Sequence, residues 1–386
     1  MEIAQAHCQA APNAGELASL TRLDPHLVLV FGSVSRMTDA ALPALLREQF
    51  PRAQLVGCST AGEIVGSNVF DDSVVMTAVR FRQPDFRVGC VEINGMEDSA
   101  EAGRRLGEKL AGTHEGKALH SILVLGQGVN INGSALIEGI VQAVGAGVTL
   151  TGGLAGDGGK FQHTWVLCGG RVTDKCVLGV GFYGSSITLS HGSFGGWQPF
   201  GATRLVTRAK ANVLYELDGE PALRIYKRYL GDYARDLPGS GLLFPFAMLG
   251  KDHSETGLIR TILGVDEKAG SLTLAGDIVE GGYLRLMSAS TDALVDGAEA
   301  AANAAAAAAR NAQKSGARGL ALLVSCVGRK LVMGGRVDEE VEAVAKVFGE
   351  HTVLTGFYSN GEISPYVGAP ECKLHNQTMT ITCIGD

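Results

Sequence analysis

The chain has 386 residues, of which 46% are hydrophobic and 19% are charged, and its formal net charge is −7. This much apolar surface excludes intrinsic disorder, and an acidic chain without a basic stripe argues against nucleic-acid binding. We expect no membrane span and a cytoplasmic location, because no apolar run reaches about 18 residues and the start "MEIAQAHCQA" lacks the features of a signal peptide.

Three segments of the chain resemble one another. Each begins with a short apolar run: "HLVLVFGS" (26–33), "HSILVLGQG" (120–128) and "GLALLVSCVG" (319–328). Each continues through apolar residues at helical spacing to a second apolar run and a glycine-rich loop: "AQLVGCSTAGEI", "VTLTGGLAGDGG" and "TVLTGFYSNGEI". Continuous runs of Val, Leu and Ile predict strands covered on both faces, so each segment predicts one β-α-β unit.

An acidic residue closes each glycine-rich loop, at Glu63, Asp157 and Glu362. Two interpretations stay open. The loops are either junctions in which the acid caps backbone amides, or parts of a pocket at converging strand ends that binds an ammonium group or a small polar metabolite. The candidate ligand-loop residues are Gly57, Ser59, Glu63, Gly153, Asp157, Tyr358, Asn360 and Glu362.

The middle of the chain, roughly 190–290, has a different pattern. Apolar and polar residues alternate there between Gly-rich turns, which predicts an antiparallel β-rich insertion. The predicted fold class is therefore α/β, with repeated β-α-β units around mainly parallel or mixed sheets and an antiparallel insertion in the middle.

Several stretches resemble the FIST family of sensory proteins. They include "LVGCSTAGEI", "LTGGLAGDGG", "RTILGVDEKAGSLTLAGDI", "GFYSNGEI" and "LHNQTMTITCI". The resemblance implies a FIST N-terminal domain over 1–190 and a FIST C-terminal domain over 191–386. The chain resembles in particular the NosP-type members of the family. That resemblance implies haem b, nitric-oxide sensing and a partner histidine kinase in bacterial two-component signalling.

Haem needs an axial ligand and an apolar slot, and His191 is the preferred metal ligand. It lies in "SHGSFGGWQPFG", where Phe194, Trp197 and Phe200 would supply an aromatic wall. His253, His375 and a cysteine such as Cys58 or Cys372 are the alternatives.

The sequence therefore predicts a sensor that binds haem and nitric oxide and regulates a histidine kinase. The alternative is a sensor of a small amino-acid-like metabolite without haem. Catalytic motifs such as a Walker loop or Gly-x-Ser-x-Gly are absent, so we do not expect an enzyme. Homo-oligomerisation is left open.

Overall fold

The computed structural model describes residues 1–312, 319–365 and 371–386. Its main body consists of three units of one design, which we call unit 1 (residues 2–80), unit 2 (86–183) and unit 3 (188–385). Each unit has an edge strand, a helix, a central strand, a helical connection and a second strand parallel to the central one. A short hairpin and a final antiparallel strand complete it. The predicted threefold repeat is thus confirmed.

Unit 1 shows this design in its shortest form. Its elements are β1 (Glu2–Cys8), α1 (Ala18–Arg22), β2 (Leu27–Gly32), α2 (Val34–Met37), α3 (Ala41–Gln49), β3 (Gln54–Ser59), β4 (Glu63–Val65), β5 (Asn68–Phe70) and β6 (Val74–Arg80). All six residues of β2 are buried. One face of this strand meets the central core and the other lies under the helices, which explains its unbroken apolar sequence.

Unit 2 has longer helices and a longer second loop. Its elements are β7 (Phe86–Glu92), α4 (Ser99–Leu110), β8 (Thr113–His114), β9 (Lys117–Gly126), α5 (Gly133–Val144), β10 (Thr149–Leu154), β11 (Val166–Cys168), β12 (Arg171–Thr173) and β13 (Cys176–Tyr183). Asn132 caps the N-terminus of helix α5, because its side-chain oxygen accepts a hydrogen bond from the amide of Ala135 at 3.1 Å. This cap ends the segment that leads from β9 into the helix.

Unit 3 begins with β14 (Thr188–Phe194) and is then interrupted by the predicted antiparallel insertion. The insertion contains β15 (Gln198–Lys210), β16 (Val213–Leu217), β17 (Glu220–Pro221), α6 (Ala222–Leu230), β18 (Phe246–Leu249), β19 (Glu255–Arg260), β20 (Ile262–Asp266), β21 (Ser271–Leu274) and β22 (Tyr283–Ser288). These strands form an eight-stranded sheet of antiparallel pairs with a separate apolar core.

The remainder of unit 3 restores the common design. Its elements are α7 (Thr291–Ala312), β23 (Gly319–Cys326), α8 (Val327–Met333), α9 (Val337–Phe348), β24 (Thr352–Ser359), β25 (Gly361–Pro365), β26 (Cys372–His375) and β27 (Met379–Gly385). The alanine-rich α7 packs closely on β14, where a Cβ added to Gly192 would lie 2.1 Å from the carbonyl oxygen of Ala301. Small side chains permit this close approach of helix and strand.

The hairpins are exchanged between the units. Sheet 1 has the order β1-β6-β2-β3-β11-β12, sheet 2 the order β26-β25-β10-β9-β13-β7, and sheet 3 the order β14-β27-β23-β24-β4-β5. Hairpin β4–β5 of unit 1 therefore completes sheet 3, β11–β12 of unit 2 completes sheet 1, and β25–β26 of unit 3 completes sheet 2. No unit completes its sheet with its own hairpin.

The α/β class is confirmed, and each of the three sheets is mixed. The parallel pairs in them are β2–β3, β9–β10 and β23–β24, while the hairpins and final strands pair antiparallel. One core cluster joins the inner faces of all three sheets, with Phe31, Leu123, Leu178 and Val324 among its members. Among the described residues, no helix combines the length and apolarity needed to cross a bilayer.

The same steric constraint occurs in each parallel pair. A Cβ added to Gly57, Gly152 or Gly356 would lie 1.8, 2.0 or 1.9 Å from a backbone oxygen of the neighbouring central strand. No rotation of a side chain relieves a contact between a Cβ and a backbone atom. These glycines are therefore packing residues of the parallel pairs.

We predict that Gly57→Ala lowers the free energy of unfolding by about 3 kcal/mol or more, because overpacking that moves backbone costs at least about 1–3 kcal/mol. Urea unfolding measures the change. The matched control is Gly147→Ala, since a Cβ there meets nothing within 4 Å. Equal stability of the two variants would contradict the packing role of Gly57.

Candidate functional site

The glycine-rich loops of the three units meet at one end of the central core. Each loop donates one backbone amide to a carbonyl of a neighbouring loop: Ala61 to Tyr358 (2.8 Å), Gly156 to Ser59 (2.8 Å) and Asn360 to Leu154 (3.2 Å). The predicted convergence of the loops is confirmed. The contact is closed, however, since a Cβ on Gly156 would lie 2.6 Å from the amide nitrogen of Ala61.

Glu63 is fully buried beneath its loop, with an exposure of 0%. One carboxylate oxygen accepts a hydrogen bond from the hydroxyl of Thr60. The other accepts from the backbone amide of Ser73 at 3.1 Å and from its hydroxyl at 2.6 Å. Burial raises the pKa of Glu63. The carboxyl thus joins the loop to the start of β6.

Glu362 repeats this arrangement in unit 3. Its carboxylate oxygens accept hydrogen bonds from the hydroxyl of Ser359 (2.7 Å) and from the amide (3.3 Å) and hydroxyl (3.0 Å) of Thr378. Burial raises the pKa of Glu362 to about 8, so the carboxyl is mostly protonated at neutral pH. Both acids are fully enclosed, and the geometry favours the junction interpretation over the ligand-binding one for these two loops.

Unit 2 departs from this pattern, and the expected equivalence of Asp157 with Glu63 and Glu362 is wrong. Strand register places Val166 at that position. Phe357, Gly153 and Cys58 are equivalent, because each directly follows the packing glycine of its parallel strand. Glu63 lies opposite Phe357 and Glu362 opposite Gly153, whereas Val166 lies opposite Cys58. Asp157 lies earlier in a longer loop. Its carboxylate accepts hydrogen bonds from the amides of Phe161 (2.9 Å), Gln162 (2.6 Å) and His163 (3.1 Å).

The hydroxyl groups that hold the acids are also replaced in unit 2. Ser73 and Thr378 correspond to Cys176, since their carbonyls accept from the amides of equivalent residues, at 3.0, 3.1 and 3.1 Å. Each donor directly follows the last residue of the central strand that pairs with the final strand. Thr60 and Ser359 correspond to Ala155 by the register of the parallel pairs. Unit 2 therefore lacks the hydroxyl–carboxyl–hydroxyl group.

A cleft of about 400 Å³ opens in unit 2 beside its long loop. Its lining comes from the segments after β7 and β9, from the long loop and from the turn before β13. The lining residues are Ile93, Asn94, Gly95, Gln127, Val129, Asn130, Gln162, His163, Thr164, Asp174 and Lys175. Four of these side chains are amides, and a volume of this size fits a small metabolite.

Gln127 provides the most specific feature of the cleft. Its side chain is only 4% exposed. Its Nε2 donates to the carbonyls of Val129 (3.0 Å) and Asn130 (3.2 Å), whereas its Oε1 has no hydrogen-bond partner among the described residues. An unpaired buried acceptor costs about 1–3 kcal/mol, so a ligand that donates to Oε1 would recover that free energy.

Opposite charges lie at the rim of the cleft. Asp174 and Lys175 are both exposed and are adjacent in the turn before β13. Neither makes an ion pair with a described residue. The cleft therefore carries an anion and a cation at its rim, and the side chain of Gln127 lies in its wall.

The residues predicted to hold haem are not brought together as a slot. His191 pairs with Thr382 in mid-strand, and Phe194 pairs with Met379. The two residues are three positions apart in β14, so their side chains lie on opposite faces of the sheet. Trp197 donates its indole N–H to the carbonyl of Gln377 at 2.8 Å.

The remaining haem candidates have other contacts. Phe200 packs on Phe244 with ring centroids 5.7 Å apart and is 49% exposed. His253 is exposed at a turn and lies 4.1 Å from the ring of Tyr283. His375 is buried, its Nε2 lies 2.9 Å from the carbonyl oxygen of Ser364, and burial lowers its pKa to about 4. The described side chains therefore do not fit a haem slot around His191.

The other predicted ligand-loop residues have packing or hydrogen-bonding roles. The hydroxyl of Ser59 donates to the carbonyl of Gly156 at 2.7 Å, and that of Tyr358 donates to Glu340 at 2.6 Å. A Cβ on Gly153 would lie 2.6 Å from the side chain of Val324. The side-chain amide of Asn360 donates to the carbonyl of Gly128 at 3.3 Å. These contacts hold the three loops together.

The sequence analysis missed the cleft residues. The available signal was "GQGVNINGS" (126–134), an amide-rich segment directly after a buried strand, together with the extra length of the second loop. In the described residues, no group of three or more His, Cys, Asp or Glu side chains has the arrangement of a metal site.

We predict that the free energy of unfolding depends on pH differently in the protein and in the variant Glu362→Gln. The pKa of Glu362 is raised from 4.5 to about 8 in the fold, so its contribution to stability is full below about pH 4.5 and is lost as the pH rises towards about 8. The side chain of the variant stays neutral. Relative to the variant, the free energy of unfolding of the protein should fall by up to about 1.4 kcal/mol per pH unit across that interval.

Urea unfolding at about pH 5 and about pH 8 measures this difference. Glu342→Gln, at an exposed position of α9, is the matched control and should follow the unaltered protein at both pH values. Parallel pH profiles for Glu362→Gln and the unaltered protein would contradict the raised pKa.

Comparisons with known proteins agree with the resemblance found in the sequence. The FIST N domain matches residues 26–220 and the FIST C domain matches residues 222–365. The boundary at 190/191 stays a prediction.

Two relatives and one solved structure were compared with the chain. "Uncharacterized protein Rv0628c" of Mycobacterium tuberculosis is 25% identical over 100% of this chain and 97% of its own length. "Uncharacterized protein MJ1623" of Methanocaldococcus jannaschii is 25% identical over 49% of this chain, and the match spans only 38% of that relative. A cyanuric acid hydrolase from A. caulinodans aligns over 99% of this chain and 98% of its own, with a TM-score of 0.38 and 9% identity, which is too low to support an inference. On the matches to both of its domains, the chain belongs to the FIST family.

Proposed function

We propose that this FIST protein is a sensor that binds a small amino-acid-like metabolite in the cleft of unit 2. The FIST domains indicate a sensory, ligand-binding role in signalling. The observation that supports the metabolite is the unpaired, buried Oε1 of Gln127 in a cleft whose rim carries Asp174 and Lys175.

The ligand class follows from the chemistry of the cleft. An α-amino acid carries an ammonium group and a carboxylate on one carbon, and the neighbouring charges of Asp174 and Lys175 complement that pair. A donor elsewhere on the ligand, such as an amide or hydroxyl, would satisfy Gln127. The mixed polar and apolar lining and a volume of about 400 Å³ suit a single small metabolite.

The signal would pass to a partner protein, for which the family resemblance suggests a histidine kinase. Ligand binding would order the long loop, because Gln162, His163 and Thr164 line the cleft and Asp157 already fixes the start of that loop. A change confined to this loop is a surface that a partner could recognise. The cytoplasmic location and homo-oligomerisation stay predictions.

We predict that one or more compounds in a panel of amino acids and their amides raise the melting temperature of the protein. Lys175→Met and Asp174→Asn should each weaken binding of that compound at least about tenfold, because a charged hydrogen bond contributes about 1.5–3 kcal/mol. Isothermal titration calorimetry measures both affinities.

The matched control is Lys251→Met, an exposed lysine in the turn after β18. It should bind the compound as the unaltered protein does. A panel without any stabilising compound, or full affinity in both cleft variants, would contradict the proposal.

A haem-dependent nitric-oxide sensor that regulates a histidine kinase is the second candidate. One observation favours it: the half-buried His191 makes no hydrogen bond to a described side chain or carbonyl, and burial lowers its pKa, which leaves a neutral imidazole able to bind iron. The absence of an aromatic slot on the same face of β14 weighs against it.

Haem titration tests this candidate. If it holds, the protein gains a Soret band that nitric oxide shifts, and His191→Ala abolishes the band while His253→Ala retains it. Absence of a saturable Soret band, or an unchanged band in His191→Ala, would contradict a role for His191 in haem binding.

A further inference from the structure

Three cysteines meet at the seam between sheets 1 and 2. Cys90 lies on β7, Cys176 is the first residue of β13, and Cys168 ends β11 of the exchanged hairpin. The Sγ atoms of Cys90 and Cys176 are 2.8 Å apart. Cys168 packs against the same apolar core cluster as Cys90 and Cys176. Pairing of β7 with β13 brings Cys90 and Cys176 together, and the exchanged hairpin adds Cys168 from the neighbouring sheet.

The cluster is partly accessible to solvent. Cys176 is 2% exposed, whereas Cys90 and Cys168 are partly exposed. Cys90 lies on β7, the last strand in the order of sheet 2, and is half-buried there. One accessible thiol beside a buried thiol is the arrangement of an attacking and a resolving cysteine.

The charges around the cluster favour ionisation of Cys90. Hydrogen bonds from the thiols of Cys168 and Cys176 lower the pKa of Cys90, and the cations of Lys109 and Arg171 lower it further. The Nζ of Lys109 donates to the carbonyl of Cys90 at 2.9 Å, which fixes that cation beside the strand. Hydrogen bonds with Cys168 and Cys90 raise the pKa of Cys176. This environment favours Cys90 over Cys176 as the attacking thiol.

We propose that Cys90, Cys168 and Cys176 form a redox-active thiol site, in which hydrogen peroxide oxidises Cys90 and a Cys90–Cys176 disulfide forms. This site lies beyond the ligand-binding function proposed above and does not depend on it.

The chemistry needs only peroxide and the protein's own thiols. The thiolate of Cys90 attacks one peroxide oxygen, the O–O bond breaks, and the departing hydroxide takes a proton to give water and a sulfenic acid. The sulfur of Cys176 then attacks the sulfur of Cys90, and the S–O bond breaks. The hydroxide leaves as water with the thiol proton of Cys176. The two thiols lose two electrons in total, and peroxide is reduced to two waters.

The strand register makes the product reducible. Cys90 lies opposite Leu178 and Cys176 opposite Glu92, so the two cysteines are diagonal neighbours on one face of the sheet. Diagonal Cα atoms are about 7–8 Å apart, longer than the roughly 4.4–6.8 Å of an unstrained disulfide. A disulfide that requires the strands to shift is more easily reduced than a structural one, which suits a reversible sensor.

Oxidation would also alter the cleft. Cys176 follows Lys175 directly, and its carbonyl accepts a hydrogen bond from the amide of Gln127 at 3.1 Å. A shift of Cys176 towards Cys90 therefore moves two of the residues that line the cleft.

Peptide mapping of the full, reduced chain tests the proposal. Trypsin separates the three cysteines into peptides 88–104, 161–171 and 176–204. After treatment with a small excess of hydrogen peroxide and alkylation, we expect a cross-linked species that joins 88–104 to 176–204 and disappears on reduction with dithiothreitol.

Variants assign the roles in the same assay. Cys90→Ser should lose the cross-link, whereas Cys168→Ser should form it more slowly and Cys383→Ser, at a buried thiol of β27, at the unaltered rate. A protein whose Cys90 stays unoxidised would overturn the proposal. So would a cross-link that joins other peptides, or sulfinic acid at Cys90 without a cross-link, and each of these results is available from the unaltered protein alone.

Discussion

The exchange of hairpins between the three units is the constraint on which the rest of the structure depends. Each sheet is finished by strands from another unit, so no unit can complete its hydrogen bonds or bury its core face alone. The glycines of the parallel pairs, the ring of loop contacts and the buried acids all lie where exchanged strands enter a foreign sheet. The three units should therefore fold and unfold together.

The buried acids of units 1 and 3 have no counterpart in unit 2, where a thiol replaces one of the hydroxyl groups. In units 1 and 3 a carboxyl at the start of the exchanged hairpin is held by hydroxyl groups of its own unit. In unit 2 all three members of that group differ, and become Ala155, Val166 and Cys176. They change together because a buried carboxyl without partners, or buried hydroxyls without a carboxyl, would each cost free energy.

The replacement of the hydroxyl–carboxyl–hydroxyl group distinguishes unit 2, for which we propose the functional role, from units 1 and 3. Its longer loop opens a cleft where the other two loops are closed, and Cys176 brings a thiol to the position of a structural hydroxyl. The cleft and the thiol cluster are adjacent through Lys175 and Cys176. One departure from the repeat thus places side by side the cleft and the thiol cluster, for which we propose ligand binding and redox chemistry.

Much of the fold could be predicted from the sequence, because apolar runs and glycine-rich loops recur in it three times. The exchange could not, since a short apolar hairpin such as β4–β5 fits the edge of any of the three sheets. Asp157 was equated with Glu63 and Glu362 because each acid directly follows a glycine. That comparison ignores strand register, and the extra residues of the second loop delay the hairpin until Val166.

The site was predicted only in part. Convergence of the loops follows from the repeats, but burial of Glu63 and Glu362 depends on contacts with Ser73 and Thr378, far along the chain. His191 was expected beside an aromatic wall that included Phe194, but the two residues are three positions apart in one strand, so Phe194 faces the other way. The cleft depends on segments from four parts of unit 2, which no single motif records.

The central claim is that the loops of units 1 and 3 are closed, whereas the long loop of unit 2 is closed at Gly156 and open beside the cleft. Native-state hydrogen exchange of the full chain tests it most directly. The account predicts that the amides of Ala61 and Asn360, which join neighbouring loops, exchange only through global unfolding, whereas those of Gln162 and His163 exchange much faster through local opening. Exchange of Ala61 or Asn360 as fast as that of Gln162 and His163 would contradict it.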